Sequence, residues 1–310
     1  MNGYRLLTYV TSAGSPQAGI LVGDRVYAAA ALLGSSGVKD VSSVHTILHD
    51  WERVHSALRD AAASLDRGDG LPLADVTLSA PLQVPGELIC AGANYWDHLR
   101  EMADIAERTT GKRPSMTKPK EPWFFLKNAR SAVTGPGAEV ALPSFSKQVD
   151  WEAELGVVIG RATRNISEER ALDAVAGYTI VNDLSARDLM KREGTPFIYD
   201  WVGQKCFEHS APMGPWITPA EYVGDSENLS IKLWVNGALK QDSNTKHMVH
   251  NAREQIAYLS RHFTLHPGDI IATGTPAGVG MPRGEFLKAG DEVRIEIENC
   301  GVLVNRMVGE

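Results

Sequence analysis

Three carboxylates occupy alternate positions in the stretch "VDWEAELGVVIG": Asp150, Glu152 and Glu154. The run that follows is apolar and β-branched, the pattern of a strand entering a core. Alternate residues of a strand share a face, so the three acids are expected to project together. Like charges that close repel, and burying them unpaired is costly. Hard divalent cations take oxygen ligands and would relieve that repulsion. Glu152 and Glu154 then form two arms of a metal site, and Asp183 in "VNDLSARD" is the candidate third, at the end of another expected strand. The competing reading is an edge strand whose acids face water. The apolar residues Leu155 to Ile159 weigh against it.

A second grouping suits proton transfer. His98 and Glu101 in "NYWDHLREM" are three apart and share a helix face. A carboxylate beside an imidazole orients the ring and raises its basicity, as activation of a water requires. A surface ion pair is the alternative. Lys205 in "GQKCFEHSAPMGP" lies between apolar and Gly/Pro-rich segments, where a buried ammonium would steady an oxyanion. The loop "ATGTPAGVG" follows an expected strand, and its amides, Gly274 among them, with the Thr275 hydroxyl could cradle a carboxylate. A purely structural turn fits that loop equally well. No HExxH, GxSxG, GxxxxGK or GxGxxG pattern and no EF-hand spacing occurs, so the corresponding protease, esterase, nucleotide and calcium-loop chemistries lack support.

The elements that must hold these groups read as follows. "YRLLTYV" and "AGILVGDRVYAAA" are short strands, with a hairpin turn at Gly23-Asp24. A helix is expected over Val44 to Leu65, and Gly, Asp and Pro then mark a boundary near Leu78 to Pro85. A small N-terminal domain, 1–80, therefore precedes a larger one, 81–310. "GELICAGA", "WFFLKNA", "WEAELGVVIG", "YTIVND", "GDIIATGT" and "DEVRIEIEN" read as strands, and Asn236-Gly237 as a hairpin turn. Helices are expected from about Tyr95, over "NAREQIAYLSRHF", and over "SEERALDAVAG" with Ser167 as N-cap and Gly177 as stop. Strands outnumber helices without alternating with them regularly, which predicts an α+β, strand-rich fold.

The chain of 310 residues is 43% hydrophobic and 22% charged, an ordinary globular composition. A net charge of -7 argues against general affinity for nucleic acid and leaves small molecules or protein as partners. Cys90, Cys206 and Cys300 stand far apart, so neither a disulfide framework nor a thiolate zinc site is expected. With no signal peptide and no membrane-spanning run in the sequence, the expected location is the cytoplasm.

In order along the chain, "GANYWDHLREM", "WFFLKN", "DWEAELGVVIG", "VNDLSARD", "GQKCFEHSAPMGPWI" and "GDIIATGTPAGVG" resemble the fumarylacetoacetate hydrolase family. The resemblance spans Gly92 to Gly280 and implies a mixed β-roll catalytic domain, a homodimer, and Mg²⁺ or Mn²⁺ as cofactor, with Ca²⁺ as a substitute. It puts Glu152, Glu154 and Asp183 at the metal-ligand positions, and His98 and Glu101 at the water-activating pair. Lys205 matches an active-site lysine and Thr275 a substrate-carboxylate loop, with Arg187 and Lys127 as further candidates near the metal. Asp150 matches no ligand position and is expected behind the ligands or in solvent. Two departures stand out. The Arg- and Lys-rich segment between Met102 and Lys127 is long and reads either as a lid that orders over substrate and meets a second carboxylate or, equally, as a surface loop, and Glu208-His209 replace the usual acidic and small residues.

The resulting expectation is metal-dependent hydrolysis of a carbon–carbon bond in a 2,4-dioxo acid (acylpyruvate- or fumarylpyruvate-like), in aromatic-compound catabolism. Decarboxylation, isomerisation or hydration of a related 2-oxo acid would use the same residues. A non-catalytic keto-acid-binding protein is the remaining alternative.

Overall fold

The computed structural model describes every residue except 1–2, 13, 35–39, 66–67 and 195. Its frame is a mixed sheet that, among the described residues, has twelve strands. The centre of that sheet is Ala153–Ile159, flanked by Val175–Asn182 and Ile270–Ala272. Beyond Ile270–Ala272 lie Leu88–Ala91, paired in parallel, and Phe124–Lys127. On the other side Val175–Asn182 pairs with Ala211–Pro219, which pairs in turn with Arg5–Val10. The N-terminal strands Gln17–Val22 and Arg25–Ala28 thus continue the same sheet.

The apolar run after Glu154 is continuous because both faces of its strand are covered. Leu155, Val157 and Ile159 enter a core shared with a five-stranded sheet built on Ser230–Val235, Glu292–Ile297 and Gly301–Gly309. The helix Ala252–His262 closes that core with Ile256 and Leu259. Val158 points the other way, to Ile47, Leu48, Val54 and Leu58 of the N-terminal helices. Burial of this kind contributes about 25 cal/mol per Å² of apolar surface, so the strand carrying the acids is held rigidly from both sides.

Several elements differ from the sequence expectation. The helix expected over Val44 to Leu65 is two helices, Val44–Leu48 and Trp51–Ser64, because Asp50 takes a non-helical backbone (φ -127°, ψ 38°) and starts the second. "SEERALDAVAG" forms a 3-10 helix, Glu168–Ala174, whose Ser167 makes no side-chain cap bond. Gly177 is no helix stop; it lies in the strand Val175–Asn182, where a Cβ would come within 2.3 Å of the Thr218 carbonyl oxygen. The helix Trp96–Thr110 ends at Gly111, left-handed with φ 72°, so the segment read as a lid or a surface loop is helical up to Thr110 and non-helical from there to Phe124. No helix among the described residues is long and apolar enough to cross a membrane.

Candidate metal centre

The three acids are brought together by strand register. Ala153 stands opposite Asn182 and Glu154 opposite Val181 in the antiparallel pair. Asp183, just past that strand, donates its N–H to the Glu152 carbonyl at 2.9 Å. Carboxylate oxygens of Glu152, Glu154 and Asp183 consequently lie within 4.8 Å of one another, all buried.

Asp150 does not join them. The strand Val149–Asp150 ends before Trp151, so the alternation expected across all three acids breaks there. Far from being solvated, Asp150 is fully buried and accepts from the N–H groups of Trp151, Gly280 and Met281 and from Arg187 Nε at 2.9 Å. Burial pushes its carboxyl up, against the pull of Arg187.

Three cations surround the acids. Lys127 Nζ donates to Asp183 Oδ1 at 2.6 Å and to the Leu184 carbonyl at 2.9 Å. Lys205 Nζ bridges Asp183 Oδ2 at 2.6 Å and Glu152 Oε2 at 2.9 Å. Arg187 spans Asp150 and Glu152. Burial opposes the charge on Glu152, yet Lys205 and Arg187 hold its carboxyl well below the usual range. Burial would likewise lower the Lys205 ammonium, but Asp183 and Glu152 raise it, so it stays charged.

Glu154 is the exception. Its Oε2 accepts the Gly274 N–H at 2.8 Å, while its Oε1 is buried without a partner. Burial first, then the neighbouring Asp183 and Glu152, push this carboxyl well above its ordinary value. Four buried acids face three cations, and the unmatched charge falls on Glu154. An all-oxygen donor set with an orphaned carboxylate oxygen fits a hard divalent cation.

The same cavity, about 400 Å³, is lined by His98, Arg187, Lys205 and Thr275 as well as by Glu152 and Glu154. His98 Nδ1 lies 3.5 Å from Glu101 Oε2, longer than a good hydrogen bond but with ring and carboxylate on one helix face. Burial works against the charge on Glu101, but His98 and the Gly278 N–H outweigh it and hold the carboxyl below its usual value. The loop after Ala272 uses its amides on the protein's own acids: Gly274 on Glu154, Ala277 on Asp97 and Gly278 on Glu101. Thr275 Oγ1 accepts from Gln241 Nε2 at 2.8 Å and keeps its own proton for the cavity. Glu208 is exposed, and neither it nor His209 lines the cavity.

Two buried amides went unnoticed in the sequence. Asn94 donates to the carbonyls of His250 and Thr273 at 2.8 Å each and accepts from the His250 N–H, clamping three loops. Gln241 accepts from the Ala153 N–H at 3.0 Å while holding Thr275, tying the acid-bearing strand to the loop. Their partners lie far along the chain, so no local pattern marks them.

The family model for the fumarylacetoacetate (FAA) hydrolase C-terminal domain matches residues 87–308. The chain belongs to the fumarylacetoacetate hydrolase family. Like its relatives in that family, it is an enzyme. It is 42% identical over 261 residues to the mitochondrial oxaloacetate tautomerase fahd2 of Xenopus laevis, covering 83% of this chain and 76% of that one. To the mitochondrial oxaloacetate tautomerase FAHD2B of Homo sapiens it is 43% identical over 241 residues, covering 77% and 71%. Among solved structures, maleylpyruvate hydrolase from Sphingobium sp. SYK-6, in complex with manganese(II) and pyruvate, matches with TM-score 0.75 and 31% identity over 99% and 100% of the two chains. The 2-hydroxyhepta-2,4-diene-1,7-dioate isomerase from Mycobacterium marinum matches with TM-score 0.71 and 30% identity over 99% of each chain. This fumarylacetoacetate hydrolase family member thus has the strand-rich α+β fold of its structural neighbours.

Proposed function

We propose that the chain is a divalent-metal-dependent hydrolase that cleaves a carbon–carbon bond in a 2,4-dioxo acid. The observation that carries this reading is that His98, with Glu101 at 3.5 Å behind it, lines the same cavity as Glu152 and Glu154, whose carboxylate oxygens cluster with that of Asp183. Mg²⁺ or Mn²⁺ held by Glu152, Glu154 and Asp183 would supply Lewis acidity towards the 2-oxo acid end of the substrate. His98, oriented by Glu101, takes a proton from water as the water oxygen attacks the distal carbonyl. Lys205 offers its ammonium to the oxyanion that forms. The bond between the acyl carbon and C3 then breaks; the water oxygen stays with the acyl group as a carboxylic acid, and C3 takes the proton back from His98. The products are a carboxylic acid and a 2-oxo acid.

A second reading keeps the proton transfer and omits the cleavage: keto–enol tautomerisation of a 2-oxo acid. The 42–43% identity to proteins named oxaloacetate tautomerase supports it. The test is pyruvate release from 2,4-dioxopentanoate by metal-stripped protein, with and without added Mn²⁺, beside the decay of enol-oxaloacetate absorbance. Metal-dependent pyruvate release supports the hydrolase. Metal-dependent decay of the enol alone moves the assignment to the tautomerase.

A further inference from the structure

We propose that the cavity selects a substrate whose far end is apolar, an aryl or branched alkyl group; this rests on the reading that the triad anchors a 2-oxo acid. The cavity has two ends of unlike chemistry. Glu152, Glu154, Lys205 and Thr275 are buried at one end, whereas Met102, Trp123, Met190, Tyr199, Trp201 and Met281 form a more open wall, and buried Phe125 joins the two, its ring centroid 4.8 Å from Lys205 Nζ. The aromatic rings of that wall are one cluster. Trp123 and Trp201 centroids are 4.6 Å apart, Phe125 stacks on Trp201 at 5.5 Å, and Tyr199 stacks on Trp201 at 6.0 Å. Met102, Met190 and Met281 line the same cavity as these rings and give a wall that adapts to the shape of an apolar guest.

A second carboxylate at the far end would need a cation or several donors. Among the described lining residues the charged donors are Arg187 and Lys205, apart from His98. Arg187 spans Asp150 and Glu152, and Lys205 spans Glu152 and Asp183 with its third N–H assigned to the oxyanion, so both serve the anchor end. In the basic segment leading to Trp123, Arg113 pairs with Asp104 and Glu107 and Lys118 with Glu254, and none of the segment's cations lines the cavity. Meanwhile Trp123 and Tyr199 stand 47% and 53% exposed at the cavity. An aryl group seated there covers aromatic surface now open to water, whereas a carboxylate would shed its hydration against rings and thioethers.

The experiment uses the full chain loaded with Mn²⁺ and measures displacement of bound oxalate, a probe of the anchor alone, by phenylpyruvate and by oxaloacetate. Burial of a phenyl group predicts displacement by phenylpyruvate at a concentration about ten-fold or more below that for oxaloacetate. Trp123→Ala, at a half-exposed site, is expected to keep oxalate binding and bring the two acids to within about three-fold. Met281→Lys, which puts a cation on the wall, is expected to shift the preference towards oxaloacetate. If oxaloacetate displaces oxalate as well as or better than phenylpyruvate, the apolar assignment is overturned while the anchor stands. Failure of oxalate itself to bind the metal-loaded protein removes the anchor reading and this inference with it.

Discussion

The Gly274 N–H donates to Glu154 Oε2 at 2.8 Å, and no ion pair among the described residues reaches that carboxylate. A buried acid so placed keeps its proton to higher pH in the folded chain than in the unfolded one. Without metal, it therefore makes stability fall as pH climbs from the ordinary glutamate value of 4.5 towards the raised one. Glu154→Gln is expected to raise the thermal midpoint of the metal-free protein at pH 8 and to change it little at pH 5. With Mn²⁺ present the order reverses, because the wild type gains binding free energy that the variant lacks. Thermal melts in EDTA and in Mn²⁺ at the two pH values check this.

His98→Ala should remove about 10² to 10⁴-fold of metal-dependent pyruvate release, the usual worth of a positioned general base. Oxalate and Mn²⁺ binding should stay within about two-fold of wild type, because among the described residues no hydrogen bond or ion pair links His98 to the triad that holds them. Calorimetric titration beside the turnover assay separates the two. Loss of metal binding in step with turnover would contradict the role given to His98.

Lys127 and Asp183 form a buried pair at 2.6 Å. Removing Lys127 leaves Asp183 sharing Lys205 with Glu152 and four buried acids facing two cations, so Lys127→Met is expected to cost about 3–5 kcal/mol of stability. Pairing it with Asp183→Asn should recover much of that loss while abolishing metal uptake. A double-mutant cycle on denaturant midpoints, with metal content measured in parallel, provides the test.

Gly274→Ala meets two obstacles at once. The residue has φ 97°, and a Cβ would lie 2.7 Å from the Asn94 Cβ. Relief requires the loop to move, which takes its N–H from Glu154. The expected result is a loss of about 1–3 kcal/mol in stability and weaker Mn²⁺ binding. Unchanged Mn²⁺ affinity would show that this hydrogen bond does not set the ligand's position.

Much of the centre was legible in the sequence because its chemistry is written locally. Glu152 and Glu154 announce themselves by period-two spacing, and His98 and Glu101 by helical spacing. Asp150 continues the same period and was therefore grouped with the ligands' face. What separates it is a break in the strand at Trp151 and the Gly280–Met281 turn, far along the chain, whose amides claim it. Gly177 misled for a related reason: a glycine after a helical pattern reads as a stop, but here the close approach of Thr218 from a neighbouring strand requires it. Asn94 and Gln241 could not be found by spacing, since each joins segments that meet only in the folded chain.

The pairing of Ala153 with Asn182 has one more consequence. A slip of one step along that ladder moves the chain by about 3.4 Å and turns Glu154 away from Asp183. Metal coordination tolerates deviations of only about 0.2 Å. Ion uptake during refolding is therefore a gauge of register: molecules that zip these two strands out of step cannot load, and a metal-reporting dye would count correctly aligned chains directly.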